Sequence, residues 1–140
     1  MTSNSLVSER ALREIYLRAF EICIREADPA ALMTSYNLLN GEHTSQRADL
    51  LQTLLREEWG YRGLLMTDWV VAQASAKGSH AVARSAPSIA AGNIFMPGSL
   101  ADLRLALKAL RGQDKRCALS RFEAERCAAQ VVDCVLRLKG

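Results

Sequence analysis

Along this chain, short apolar runs of strand length alternate with longer stretches of helical period, and that alternation restricts the fold more than any other feature. Ser8 to Ala27 places Leu12, Ile15, Tyr16, Ala19 and Cys23 at helical spacing and predicts an amphipathic helix, stopped by Asp28-Pro29. Ala30 to Tyr36 comes next as an apolar run, and Asn37 to Thr44 reads as a loop with Asn40-Gly41 as its turn. Thr44 or Ser45 is suited to cap a second helix bearing Leu50, Leu51, Leu54, Leu55 and Trp59, with Gly60 as its stop. Gly63 to Trp69, GLLMTDW, is the second apolar run and ends in a carboxylate and an indole. A polar, small-residue stretch from Val70 to about Ser85, containing Gly78 and His80, leads to a short helix over Pro87 to Ala91. Ile94 to Met96 is the third strand-length run, closed by Pro97-Gly98. Ser99 with Asp102, and Ser120 with Glu123, have the spacing of capping boxes for two last helices. The first spans Leu100 to Leu110; the second is expected to bury Ala124, Ala128, Val131, Val135 and Leu138.

Strands separated by helices of about 10 to 20 residues mean βα units and a parallel sheet. Apolar runs without polar alternation fit strands covered on both faces. Two architectures meet that pattern, a doubly wound sheet and a (β/α)-barrel. A closed barrel needs eight strands and roughly 250 residues. With three such runs in 140 residues, a barrel here is part of one.

Composition narrows the partners. The chain is 49% hydrophobic and 24% charged, the balance of an ordinary globular domain. Its net charge of +3 is dispersed over helical patterns such as Arg10, Arg13, Glu14, Arg18 and Glu21, and aromatics make up 6%. No basic run is interleaved with aromatics, so no nucleic-acid partner is expected. No apolar run reaches the roughly 18 residues that span a bilayer, so no membrane partner is expected either. MTSNSLVSER has neither a basic n-region nor an apolar h-region, which suggests a cytoplasmic setting. Cys23, Cys117, Cys127 and Cys134 form no C-x-x-C pair and read as buried, reduced thiols, with Cys127 and Cys134 on one helix face. Gly60 and Gly63 flank Tyr61-Arg62 without a G-x-G-x-x-G pattern, and no metal-ligand spacing occurs, so neither cofactor nor metal is expected.

In α/β folds, ligands gather at the carboxyl ends of the strands. Thr34-Ser35-Tyr36-Asn37 and Thr67-Asp68-Trp69 are the two polar groups so placed. By the period-two rule Leu64, Met66 and Asp68 share one face, with Asp68 at its rim. A carboxylate there can attack an anomeric carbon or stabilise positive charge on it, and the adjacent Trp69 can pack on the apolar side of a pyranose. The alternative is that Asp68 caps the segment after it and Trp69 fills a gap in the core. His43 and His80 read as solvated side chains, and Glu57-Glu58 as a solvated helix face beside Arg56.

MTSYNLLNGEHTS (Met33 to Ser45) and LLREEWGYRGLLMTDW (Leu54 to Trp69) resemble glycoside hydrolase family 3, the β-glucosidase-like enzymes. In that family a strand ending in S-Y-N leads to an N-G loop, a helix ends in E-W-G-[FY]-x-G, and the next strand closes in S-D-W or T-D-W. SERALREIYLRAFEI (Ser8 to Ile22) resembles the helix before the S-Y-N strand, and AGNIFMPGS (Ala91 to Ser99) the later A-G-x-D-x-x-M-P-G segment. The similarity runs over nearly the whole chain in the same order.

That resemblance implies the C-terminal part of a (β/α)8 TIM barrel, about three parallel strands with flanking helices, over residues 1–140 as a single partial domain. It implies a retaining β-glucosidase-type hydrolase with Asp68 as nucleophile, Tyr36 holding that carboxylate, Trp69 against the sugar, and a β-glucoside or oligosaccharide as substrate. The family's other sugar-binding residues come from earlier strands, and its general acid/base from another domain or a distant loop. Glu42 is the one nearby carboxylate to weigh as a stand-in. Two further readings stay open: an inactive truncated remnant, or a structural module that completes its barrel with another chain. Open strand edges and an uncovered inner face predict self-association. Gly92-Asn93-Ile94-Phe95 is one residue shorter than the family's pattern; such a deletion flips the side chains on one side of it, so the family's packing is not carried over to the last strand.

Overall fold

Residues 3–69 and 83–139 are described by the computed structural model, and most of the stretch from Val70 to Ser85, with Gly78 and His80, lies outside them. The chain is α/β. Strand β1, Asn4–Ser5, precedes a first helical stretch in three parts: α1, Glu9–Ala11; a π-type turn, Leu12–Tyr16; and α2, Arg18–Ala27. Ser8 caps it, its hydroxyl accepting the Ala11 N–H at 3.2 Å. In the wide turn the Leu17 N–H reaches back five residues to Leu12 O, at 2.8 Å. One extra residue in a turn rotates the rest of the helix by about 100°. The expected buried face is therefore wrong in part: Leu12 and Ile24 are buried, while Ile15 and Tyr16 are 67% and 60% exposed and Ala19 and Cys23 face outward.

Strand β2, Ala31–Met33, comes next, and its course past Met33 bends into a hairpin of β3, Leu38–Leu39, and β4, Glu42–His43. The predicted loop thus contains ordered strands. Asn40 and Gly41, at φ 52° and 89°, make the tight connection that an Asn-Gly pair favours. The Asn40 side chain accepts the Val7 N–H and donates to Val7 O, both at 2.8 Å, so β1 lies parallel against β3. Alternation along β4 turns Glu42 out and His43 in, and His43 is buried instead of solvated.

Thr44 and Ser45 do not cap the second helix. They sit in a short 3-10 turn, Thr44–Gln46, with both side chains buried; α3, Asp49–Glu58, begins after Ala48 without a side-chain cap. Their hydroxyls are used in cross-links: Thr44 Oγ1 donates to Ser35 O at 3.0 Å, and Ser45 Oγ accepts from Ser88 Oγ at 3.4 Å. Helix α3 is wound with π-type bonds, Trp59 N–H to Leu54 O at 3.0 Å, and ends at Gly60. Leu51, Leu54 and Leu55 on it are buried.

Strand β5, Leu64–Met66, pairs with β2 in parallel, Ala31 opposite Leu64 and Met33 opposite Met66. Ile94 adds a parallel bridge on the other side of β5, opposite Met66. Leu65 joins Ile24, Leu51, Leu55, Tyr61 and Ala91 in the main core, between this sheet and α2 and α3. A second cluster, centred on Ala86, Ala109 and Leu119, lies among three helices: α4, Ser85–Ala90; α5, Leu100–Leu110; and α6, Arg121–Lys139.

Both capping boxes form: Ser99 Oγ accepts the Asp102 N–H at 3.1 Å, and Ser120 Oγ the Glu123 N–H at 3.2 Å. The buried stripe of α6, however, is not the predicted one. Cys127 is buried and Ala124, Gln130 and Cys134 are half-buried, whereas Ala128, Val131, Val135 and Leu138 are exposed. The physical reason is Gln130, a polar side chain that the sheet requires. Its Oε1 accepts the Leu65 N–H at 3.3 Å and Arg56 Nη2 at 2.7 Å, and its Nε2 donates to Gly92 O at 3.0 Å. No described helix is long and apolar enough to cross a membrane.

Candidate active site

Because β2 and β5 are parallel, their carboxyl ends open on the same edge of the sheet. Leu65 and Thr67 are buried against the helices, while Leu64, Met66 and Asp68 are only half-buried, as the alternation predicts. Beyond β2, Tyr36 reaches across to the neighbouring strand end. Its phenolic O–H donates to Trp69 O at 2.8 Å. The Asp68 carboxylate stands beside the same phenol, and its pull on that proton, followed by some burial, raises the Tyr36 pKa above its usual value. Asp68 Oδ1 also accepts the Trp69 N–H at 2.6 Å. The three residues singled out in the sequence, Tyr36, Asp68 and Trp69, are therefore one cluster. Trp69 is 49% exposed, so an indole lies open beside a carboxylate that accepts the Trp69 N–H. Such a group can present a fixed oxygen to an electrophilic carbon while an apolar ring face rests nearby.

Thr67 is a residue that sequence reasoning passed over. It is fully buried; its Oγ1 donates to Asp68 O at 2.9 Å and accepts the Met96 N–H at 2.9 Å. On this side of β5 the main-chain ladder runs from Ile94 N–H to Leu65 O and from Thr67 N–H to Ile94 O, each 2.9 Å. Met96 then turns to the threonine hydroxyl, so the expected strand Ile94 to Met96 shrinks to a bridge at Ile94. Asn93 is fully buried and donates from Nδ2 to Ser45 O at 2.7 Å, which anchors the shortened segment to the 3-10 turn.

The other candidates lie apart. Glu42 is exposed on β4, where its charge acts on Arg47. Glu58 pairs with Arg13 at 2.6 Å, a solvated contact as read from the sequence. Among the described residues, no group of three or more His, Cys, Asp or Glu is placed to hold a metal ion. All four cysteines are free, with Cys127 buried and Cys23 exposed. An apolar groove of about 750 Å³ runs beside α5 and α6, past Phe95, Leu103, Leu107 and Val131; Tyr36, Asp68 and Trp69 do not line it.

Comparison with known proteins agrees with the motifs. The β-glucosidase of Kluyveromyces marxianus is 54% identical over 68 residues, which is 49% of this chain and 8% of that protein. β-Glucosidase B of Emericella nidulans matches to the same extent. Among solved structures, β-glucosidase 3B from Thermotoga neapolitana in complex with glucose superposes with a TM-score of 0.80 at 34% identity, covering 95% of this chain and 18% of that one. The Kluyveromyces marxianus β-glucosidase in complex with glucose gives 0.78 at 35% identity, covering 95% and 15%. The chain thus spans less than a tenth of the length of these curated relatives and less than a fifth of the solved chains. The family model described as glycosyl hydrolase family 3 N terminal domain matches residues 2–132, and the chain belongs to glycosyl hydrolase family 3.

Proposed function

We propose that this chain supplies the nucleophile of a retaining β-glucosidase-type reaction, as the C-terminal part of a (β/α)8 barrel within a larger enzyme. The observation that carries the reading is the Tyr36 phenol against Asp68 and Trp69 at adjacent parallel strand ends. A carboxylate oxygen of Asp68 attacks the anomeric carbon of a β-glucoside or short oligosaccharide. The bond to the leaving oxygen breaks as a general acid protonates it, and water then hydrolyses the glycosyl-Asp68 ester. Tyr36 fixes the carboxylate, and the Trp69 indole rests on the sugar. The general acid must stand about 5 to 5.5 Å from the nucleophile, and the larger enzyme contributes it. The names of the relatives, all β-glucosidases, support the substrate class.

The short span of the relatives that is matched favours a second reading, in which 1–140 is one partial domain, inactive alone or completed by another chain. Hydrolysis of a chromogenic aryl β-glucoside by a larger enzyme that includes this chain, beside its Asp68→Ala variant, separates the two. Aryl alcohol released by the enzyme and not by the variant supports Asp68 as nucleophile. No release above the variant, from a folded protein, leaves the second reading.

A further inference from the structure

The carbonyl of Asp68 and the neighbouring strand segment meet at one hydroxyl. Thr67 Oγ1 donates to Asp68 O and accepts the Met96 N–H, both at 2.9 Å, and no part of the residue reaches solvent. Both bonding capacities of a hydroxyl are thus directed at main chain, one on the candidate nucleophile itself and one on the segment that carries Ile94. The main-chain ladder stops at the Thr67 N–H to Ile94 O bond, so from Asp68 onward this side chain is what links the strand end to its neighbour. From these contacts we infer that Thr67 is a positioning residue for Asp68: its hydroxyl fixes the Asp68 peptide against the Ile94–Met96 segment, and so sets where the carboxylate points. It touches neither sugar nor reacting atoms. The inference rests on the reading of Asp68 as nucleophile.

A valine at this position keeps the shape and removes both bonds; a serine keeps the bonds and removes a methyl. The Tyr36 phenol reports on the carboxylate without any substrate, since Asp68 raises its pKa. The test is a pH titration of tyrosine labelled at Cζ in the 140-residue chain, with Tyr36 assigned by Tyr36→Phe. Asp68→Asn should return the Tyr36 pKa towards its ordinary value of about 10. Thr67→Val should move it in the same direction, and Thr67→Ser should leave it as in the unaltered chain. A folded Thr67→Val variant with an unchanged Tyr36 titration overturns the inference. Should valine prevent folding, the unaltered chain still decides: a Met96 amide that exchanges with solvent as fast as an exposed loop amide refutes the bond, and a protected one supports it. In an active preparation, Thr67→Val should lower kcat by about 10- to 100-fold with little change in KM, rescued by serine. An equal kcat overturns the role. Absence of glucoside hydrolysis by a larger enzyme that includes this chain, with the Tyr36 responses intact, counts against the nucleophile reading alone.

Discussion

Tyr36 and Tyr61 both hold their protons more tightly than a free phenol does, for different reasons. Tyr36 is raised chiefly by the Asp68 carboxylate beside it. Tyr61 is only 1% exposed, and burial pushes its pKa up to about 12. A folded-state pKa above the unfolded one means that the native chain keeps a proton the unfolded chain has lost. That stability is complete below about pH 10 and disappears as pH rises through the folded value. Denaturant titrations at stepped pH should show stability falling between pH 10 and 12, by roughly 2 kcal/mol from Tyr61. Tyr61→Phe should flatten that part of the fall. Gly63 has a related constraint. A Cβ there would stand 2.2 Å from the Tyr61 hydroxyl and 2.6 Å from Pro29 O, and the latter is main chain. Gly63→Ala should therefore cost about 1 to 3 kcal/mol, read from the denaturant midpoint. At this scale the closeness of Asp68 and Tyr36 was legible in the sequence, because each ends an apolar run and parallel pairing brings such ends together. The use made of Thr67 was not: alternation turns its side chain inward, but gives no sign that the hydroxyl bonds Asp68 O and the Met96 N–H.

Helix α6 shows how an element can be located correctly and oriented wrongly. Its start is set by Ser120 and Glu123, whose reciprocal bonds are local chemistry. Its buried face depends on what its neighbours offer, and they offer polar groups: the Leu65 N–H of β5, Gly92 O after α4 and the Arg56 guanidinium of α3 all bond Gln130. An apolar-face rule discards glutamine and selects Val131 and Val135 instead. Gln130→Ala should destabilise the chain by about 2 to 3 kcal/mol, because it strands partly buried donors and an acceptor at once. A more exposed change, Glu125→Ala beside Arg121, should lie within about 0.5 kcal/mol. The first helix fails for another reason. The bond from Leu17 to Leu12 inserts a residue into the turn, and hydrophobic spacing gives no sign of it.

At the scale of the whole molecule, the described residues cover the sheet on one side. Leu65 is buried under α2 and α3, while Met33 on the opposite side of the sheet is 57% exposed, and Ile15, Tyr16 and Phe20 add apolar surface elsewhere. Light scattering after size exclusion should give a concentration-dependent mass above 15.4 kDa, and Met33→Lys should reduce it. A mass that stays at the monomer value at all concentrations would show that these surfaces do not attract one another. The α/β alternation was legible from the sequence; the extent of each strand was not, because side chains replace main-chain partners at the seam between β5 and Ile94. There the Leu65 N–H is taken by Gln130 at one end and the Met96 N–H by Thr67 at the other. A seam with a stop at each end admits a single alignment. Because Gln130 and Thr67 close the two ends of that seam, neither can be exchanged independently of the strand they clasp.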